Sequence, residues 1–141
     1  MIDKQTLPLL VNGSHPLRNE VQASALHTFS HAGYTIQLLE QAAAALAALM
    51  NDAEAWGYIA AVSGYRSHAE QADLYKQALA EHGEAFTRQY VALPGCSEHE
   101  TGLAVDMALI QDGIDELTPH FPYECICQRF RDAAPSYGFR Q

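Results

Sequence analysis

The stretch PGCSEHETGLAVDMAL, residues 94–109, sets a serine, a histidine and an aspartate among small and apolar neighbours, with glycines at 95 and 102. It reads as a buried hairpin hinged on glycine. An unpaired imidazole or carboxylate in such a segment costs several kcal/mol or titrates to neutrality, so each needs a partner. A metal ion is a partner that satisfies both His99 and Asp106.

Fully extended, the seven steps from His99 to Asp106 would span roughly 23 Å at about 3.3 Å per residue, so the two meet only if the chain turns back. Thr101 and Gly102 supply a place for that turn, because glycine accepts positive φ without steric cost. Brought together, an imidazole at about 2.0–2.1 Å and a carboxylate at about 2.0–2.2 Å make half of a zinc site. A hydrogen-bonded His–Asp pair, or two solvated side chains, fits the same spacing, and spacing alone leaves these readings open.

After the turn, LAVDMALI alternates, with Leu103, Val105 and Met107 on one side and Ala104, Asp106 and Ala108 on the other. This predicts a strand on which Asp106 is the lone charge of an alanine-lined face. Working outward, residues 7–12 read as a short strand closed by Asn12 and Gly13. Leu38, Ala42, Ala45 and Leu49 recur at helical spacing, widened by Leu39, Leu46 and Met50, and predict a core helix over residues 35–55. The run after Gly57 predicts a buried strand ending near Ser63. Ser67 with Glu70 is a capping-box pattern opening a helix that Gly83 ends, so Tyr65 and Arg66 occupy a strand-to-helix corner. A last helix is predicted over residues 123–133, followed by a turn at Pro135 and Gly138 and the start of another strand.

The whole chain limits what these elements can serve. With 141 residues, 48% of them apolar, it is sized for one domain with one core. No apolar run approaches the roughly 20 residues of a membrane span. Seventeen acidic against 8 basic side chains, a formal charge of -9, argue against nucleic acid as partner. The start lacks a basic segment followed by a continuous apolar stretch, so a cytoplasmic protein, or one expressed without its leader, is expected. Cys96, Cys125 and Cys127 read as reduced small core residues, since Cys-x-Cys spacing suits neither an ordinary disulfide nor a zinc knuckle. The six histidines other than His99 read as surface residues.

The string Ser97-x-His99-x-x-Gly102-x-Ala104-x-Asp106, preceded by Ser63-Gly64-Tyr65-Arg66-Ser67, resembles the zinc D-alanyl-D-alanine peptidases. That family holds D,D-carboxypeptidases, D,D-dipeptidases of vancomycin resistance and peptidoglycan endopeptidases of phage lysins. LPLLVNGSHPL, residues 7–17, is similar to its N-terminal strand, so the resemblance covers nearly the whole chain. It implies that His99 and Asp106 ligate a catalytic Zn2+, that Arg66 polarises the scissile carbonyl and stabilises the oxyanion, and that Gln71 and Ser97 contact the peptide. The substrate implied is a peptidoglycan precursor ending in D-Ala-D-Ala, cut by a carboxypeptidase or dipeptidase. A lysin-type endopeptidase and a catalytically silent zinc- or peptide-binding module are the alternatives.

The family completes its site with a C-terminal Glu-x-x-His motif that supplies the general base and a third ligand. No such motif stands in the sequence up to Gln141, so the expectation is an incomplete domain finished by a further segment or a second chain, or else a shortened inactive relative. His120 as substitute ligand and Glu98 or Glu100 as substitute base do not match the family positions. The fold expected is α+β: one small antiparallel sheet with helices packed mainly on one face, in a single domain over residues 1–141, the zinc cleft lying across the sheet between the Arg66 corner and the His99 hairpin.

Overall fold

A computed structural model describes residues 14–17, 19–115 and 119–141, so the strand expected over residues 7–12 lies outside the described residues. The chain is a mixed α+β fold. Strands β1 (Leu26–His31) and β2 (Tyr34–Leu39) form an antiparallel hairpin, with Leu26 opposite Leu39 and His31 opposite Tyr34. Its two-residue turn is Ala32-Gly33, both at positive φ (52° and 83°), the twist that favours tight hairpins.

Helix α1 (Glu40–Asp52) begins five residues later than periodicity predicts. Ile36 and Leu38 are buried while Thr35 and Gln37 face solvent, so residues 34–39 obey a period of two and pair with β1 rather than winding. The helix proper buries Ala42, Leu46, Leu49 and Met50. With Ile36, Leu38, Ile59, Cys127 and Phe130 they form the main core.

Strand β3 (Ile59–Ser63) ends where predicted and pairs antiparallel with β4 (Asp106–Leu109). A bulge between Ala61 and Ser63 shifts the register so that Ser63 stands opposite Asp106. The described residues therefore form two two-stranded ladders, β1–β2 and β3–β4, where a single sheet was expected. A bond from Tyr65 N to Gln37 O, 2.7 Å, ties the ends of β3 and β2 together.

Helix α2 (His68–Tyr90) opens on Ser67, whose hydroxyl accepts from Glu70 N at 3.1 Å, as the capping pattern predicted. Gly83 ends its first part, as predicted: the backbone there leaves the helical region (φ 82°, ψ 176°), and a second helical stretch runs on to Tyr90, with Thr87 Oγ1 donating to the Gly83 carbonyl at 2.8 Å. Residues 94–109, by contrast, form no hairpin: a 3₁₀ turn, Glu98–Thr101, closes on Gly102 at φ 72°, and β4 starts only at Asp106. Helix α3 (Cys125–Ala133) starts two residues later than predicted, and a 3₁₀ turn, Ala134–Tyr137, follows it. No strand is formed among the described residues after Gly138.

Of the cysteines, only Cys127 is buried; Cys125 is exposed, against the core reading given to all three. His31 departs from the surface reading, being half-buried with its ring edge-on to Trp56 at 5.0 Å. No helix among the described residues is long and apolar enough to cross a membrane.

Candidate active site

The corner after β3 and the 3₁₀ turn before β4 clasp each other through two reciprocal bonds. Arg66 N donates to His99 O at 3.1 Å, and His99 Nδ1 lies 2.7 Å from Gly64 O. A carbonyl oxygen only accepts, so Nδ1 carries the proton and Nε2 is the free ring nitrogen. Nε2 stands 3.2 Å from Asp106 Oδ2.

That contact tests the donor set. A neutral imidazole with Nδ1 protonated turns a lone pair from Nε2 toward a carboxylate oxygen. Two acceptors at that separation need a shared cation, either a proton or a metal. Two ligands of one tetrahedral zinc at about 2.1 Å would lie about 3.4 Å apart, close to what is found, and a carbonyl holding the second ring nitrogen is the usual support of a ligating histidine. His99 and Asp106 fit zinc. Among the described residues no third His, Cys, Asp or Glu joins them to complete a metal-binding group.

Arg66 is the third member of the cluster. Its Nη1 donates to Gln71 Oε1 at 2.8 Å, its Nη2 donates to Ser63 Oγ at 3.1 Å, and the same Nη2 lies 3.8 Å from Asp106 Oδ2. Both arms of the fork are thus fixed from behind, and the cation is held beside the carboxylate. The side chains of His99 and Arg66 are 14% and 20% exposed against 35% for Asp106, so the cluster opens to solvent on the Asp106 side.

Gln71 and Ser97 are placed behind these groups. Gln71, 1% exposed, also donates from Nε2 to Ala92 O at 2.8 Å, so its amide is engaged at both ends. Ser97, 5% exposed, accepts from His99 N at 3.2 Å and is the N-cap of the 3₁₀ turn. His120 meets β4 only through its backbone, Leu109 N donating to His120 O at 3.0 Å, and its side chain is exposed, as is that of Glu98.

Three contributors were missed from sequence. Gly64 orients His99 with its carbonyl, a role no side-chain motif displays. Ser63 reaches Arg66 because of the bulge. Glu100 is buried and closes a capping box with Ser97; Ser-x-x-Glu at 97–100 repeats the pattern recognised at 67–70 and was the available signal.

Two cavities flank the cluster. One of about 700 Å³ runs from Asp106 along Val105, Met107, Phe121, Phe130 and Phe139, and is largely apolar. The other, about 270 Å³, is bounded by Arg66, Ser63, Gln77, Glu81 and Asp115.

Comparison with known proteins decides the family. The sequence profile of VanY, described as D-alanyl-D-alanine carboxypeptidase, matches residues 35–141. This chain belongs to the VanY family. The bifunctional D-Ala-D-Ala dipeptidase and D-Ala-D-Ala carboxypeptidase VanXYC of Enterococcus gallinarum is 35% identical over 131 residues, covering 92% of this chain and 69% of that protein. The vancomycin-resistance D,D-dipeptidase VanXYg, solved with a D-Ala-D-Ala phosphinate analogue, superposes with a TM-score of 0.86 at 44% identity. The match covers 92% of this chain and 51% of VanXYg, so the chain spans about half that relative's length. A D,D-pentapeptidase VanY from a VanB-type resistance cassette, solved with Zn(II), matches with a TM-score of 0.68 at 25% identity over 92% of this chain and 72% of its own. The α+β architecture is thus that of VanY-type peptidases.

Proposed function

We propose that this protein is a zinc D,D-peptidase that hydrolyses the D-Ala-D-Ala bond of peptidoglycan precursor peptides, as a carboxypeptidase or dipeptidase. The observation that carries the reading is the convergence of His99 Nε2 and Asp106 Oδ2 at 3.2 Å, with the other ring nitrogen pinned to a backbone carbonyl. The relatives support the substrate, since their names specify D-Ala-D-Ala.

His99 and Asp106 hold the metal. Zinc, when bound, supplies a Lewis acid and renders water nucleophilic at neutral pH. The chain's own residues do the rest. Gly64 O keeps the Nδ1 proton in place and leaves Nε2 free to ligate. Arg66, clamped by Gln71 and Ser63, presents a fixed cation where the scissile carbonyl oxygen gains negative charge, and a donor oriented beforehand needs no rearrangement as that charge develops. Gln71 and Ser97 serve the substrate through Arg66 and His99. A catalytic zinc takes three protein ligands, so the third donor comes from outside the described residues.

The test uses the full natural polypeptide carrying this sequence, with metal content measured by elemental analysis and D-alanine release from a pentapeptide ending in D-Ala-D-Ala. The expected result is one zinc per chain, lost in His99→Ala and Asp106→Ala, with release stopped by a chelator and restored by zinc. Release that survives the chelator refutes the reading. Zinc retained without any release assigns the chain instead to the silent binding modules.

A further inference from the structure

We propose that Glu100 is a positioning residue that fixes His99 by tying down the loop before it. Glu100 is 3% exposed, and its carboxylate accepts hydrogen bonds from backbone N–H groups. Oε2 accepts from Gly95 N at 2.8 Å and from Ser97 N at 3.2 Å, and Oε1 accepts from Gly95 N at 3.1 Å. Gly95 adopts φ 85°, a left-handed conformation that turns its N–H inward to this carboxylate.

The anchoring continues along the turn. Ser97, whose N–H Glu100 holds, accepts from His99 N at 3.2 Å, and His99 O in turn accepts from Arg66 N at 3.1 Å. A second link crosses to α2: His68 Nδ1, on the first residue of that helix, lies 3.4 Å from Glu100 Oε1. One buried carboxylate therefore joins the loop at residue 95, the turn that carries His99 and the start of the helix behind Arg66. It touches neither metal donor atom.

Without that carboxylate, Gly95 N and Ser97 N are left as buried donors with no acceptor, and the loop opens toward water to satisfy them. The Ser97 hydroxyl moves with it, and the His99 ring loses its fixed approach to Gly64 O. A glutamine keeps one acceptor oxygen but turns an NH2 group against the other backbone N–H, so Glu100→Gln restores the anchoring only in part.

The test reads His99 directly, in the metal-free full polypeptide, by NMR of its Nδ1–H proton, and reads zinc affinity separately by chelator competition. Only the second readout rests on the metallopeptidase reading. In Glu100→Ala the Nδ1–H signal should broaden or vanish and zinc affinity should fall about ten- to a hundredfold, the usual effect of removing support from a ligating histidine. Glu100→Gln should lie between alanine and wild type in both, and Glu98→Gln, an exposed neighbour, should match wild type. A wild-type Nδ1–H signal in Glu100→Ala overturns the proposal. If Glu100→Ala does not fold, Glu100→Gln decides: a weakened signal supports the role, and an unchanged one overturns it. If the wild type itself binds no zinc, the metal reading falls and the Nδ1–H signal alone decides for Glu100.

Discussion

Replacing Gly64 with alanine tests the clasp between the Arg66 corner and the His99 turn. A Cβ at residue 64 would stand 2.6 Å from Gln37 O, 3.1 Å from Ile36 Cβ and 3.2 Å from Ile36 Cδ1. None of these neighbours can swing aside. Gln37 O is a backbone atom already accepting from Tyr65 N at 2.7 Å, and Ile36 is a core residue, 7% exposed. The φ of Gly64 is not positive, so the cost is steric rather than conformational. Overpacking of this kind costs about 1–3 kcal/mol. With an unfolding entropy proportional to chain length, that lowers Tm by roughly 3–10 °C for a chain of this size. The strain has a chemical consequence as well, because relief requires residue 64 to move and its carbonyl holds His99 Nδ1. Zinc affinity should therefore drop about ten- to a hundredfold. Gly57→Ala is the control, since its Cβ would meet nothing within 4 Å; it should leave zinc binding alone and hold or slightly raise Tm. Calorimetry and chelator competition on both variants suffice. A Gly64→Ala protein that melts within about 1 °C of wild type, at roughly 3 °C per kcal/mol, and binds zinc as tightly would refute the reasoning.

Three further outcomes follow from other contacts. Arg66→Lys keeps the charge but cannot reach Gln71 and Ser63 together, so kcat/KM should fall about 10²- to 10³-fold with zinc content unchanged; loss of zinc would make Arg66 a residue of site assembly instead. Burial raises the thiol pKa of Cys127, which is fully buried, whereas Cys125 is exposed. A thiol reagent at mild pH should therefore label Cys125 at once and Cys127 only on unfolding, and rapid labelling of Cys127 in the native state would contradict the packing. Burial, followed by the charges of Glu20, Glu70 and Glu100, raises the pKa of Tyr65 above its ordinary value. Its contribution to stability is thus fully present below about pH 10, the unfolded value, and is lost as pH climbs through the folded one. Tyr65→Phe should flatten the alkaline decline of Tm, and an unaltered decline would count against it.

The proposed metal donors were legible as a cluster because the chemistry lies in side chains at fixed spacing: His99, Asp106 and Arg66 lie together in the structure. What supports them was less visible. Gly64 acts through its carbonyl, and Ser63 reaches Arg66 only because a bulge skips Val62, features that no residue type announces. Among the elements, β1 escaped notice because LHTFSH buries no residue fully and shows no apolar alternation. Its partner β2 was absorbed into the following helix, because Leu38 and Leu39 happen to continue the helical stripe of α1. These misses share a cause: tertiary or main-chain bonding overrode a local preference.

That same main-chain bonding explains how a short motif yields a rigid site. Arg66 and His99 come from segments 33 residues apart in sequence, yet each holds the other's backbone neighbourhood, through Arg66 N to His99 O and His99 Nδ1 to Gly64 O. The Arg66 guanidinium and the His99 imidazole are therefore coupled through the backbone that carries them. A displacement of either shifts both, and substitutions in the corner and in the turn will not act independently on metal binding and turnover. Asp106 sits on β4, joined to the same corner by the Ser63–Asp106 register, so the strand pairing delivers its carboxylate to the clasp. The small, acidic segment from 94 to 109 is thereby held in place by the strand-to-helix corner it closes upon.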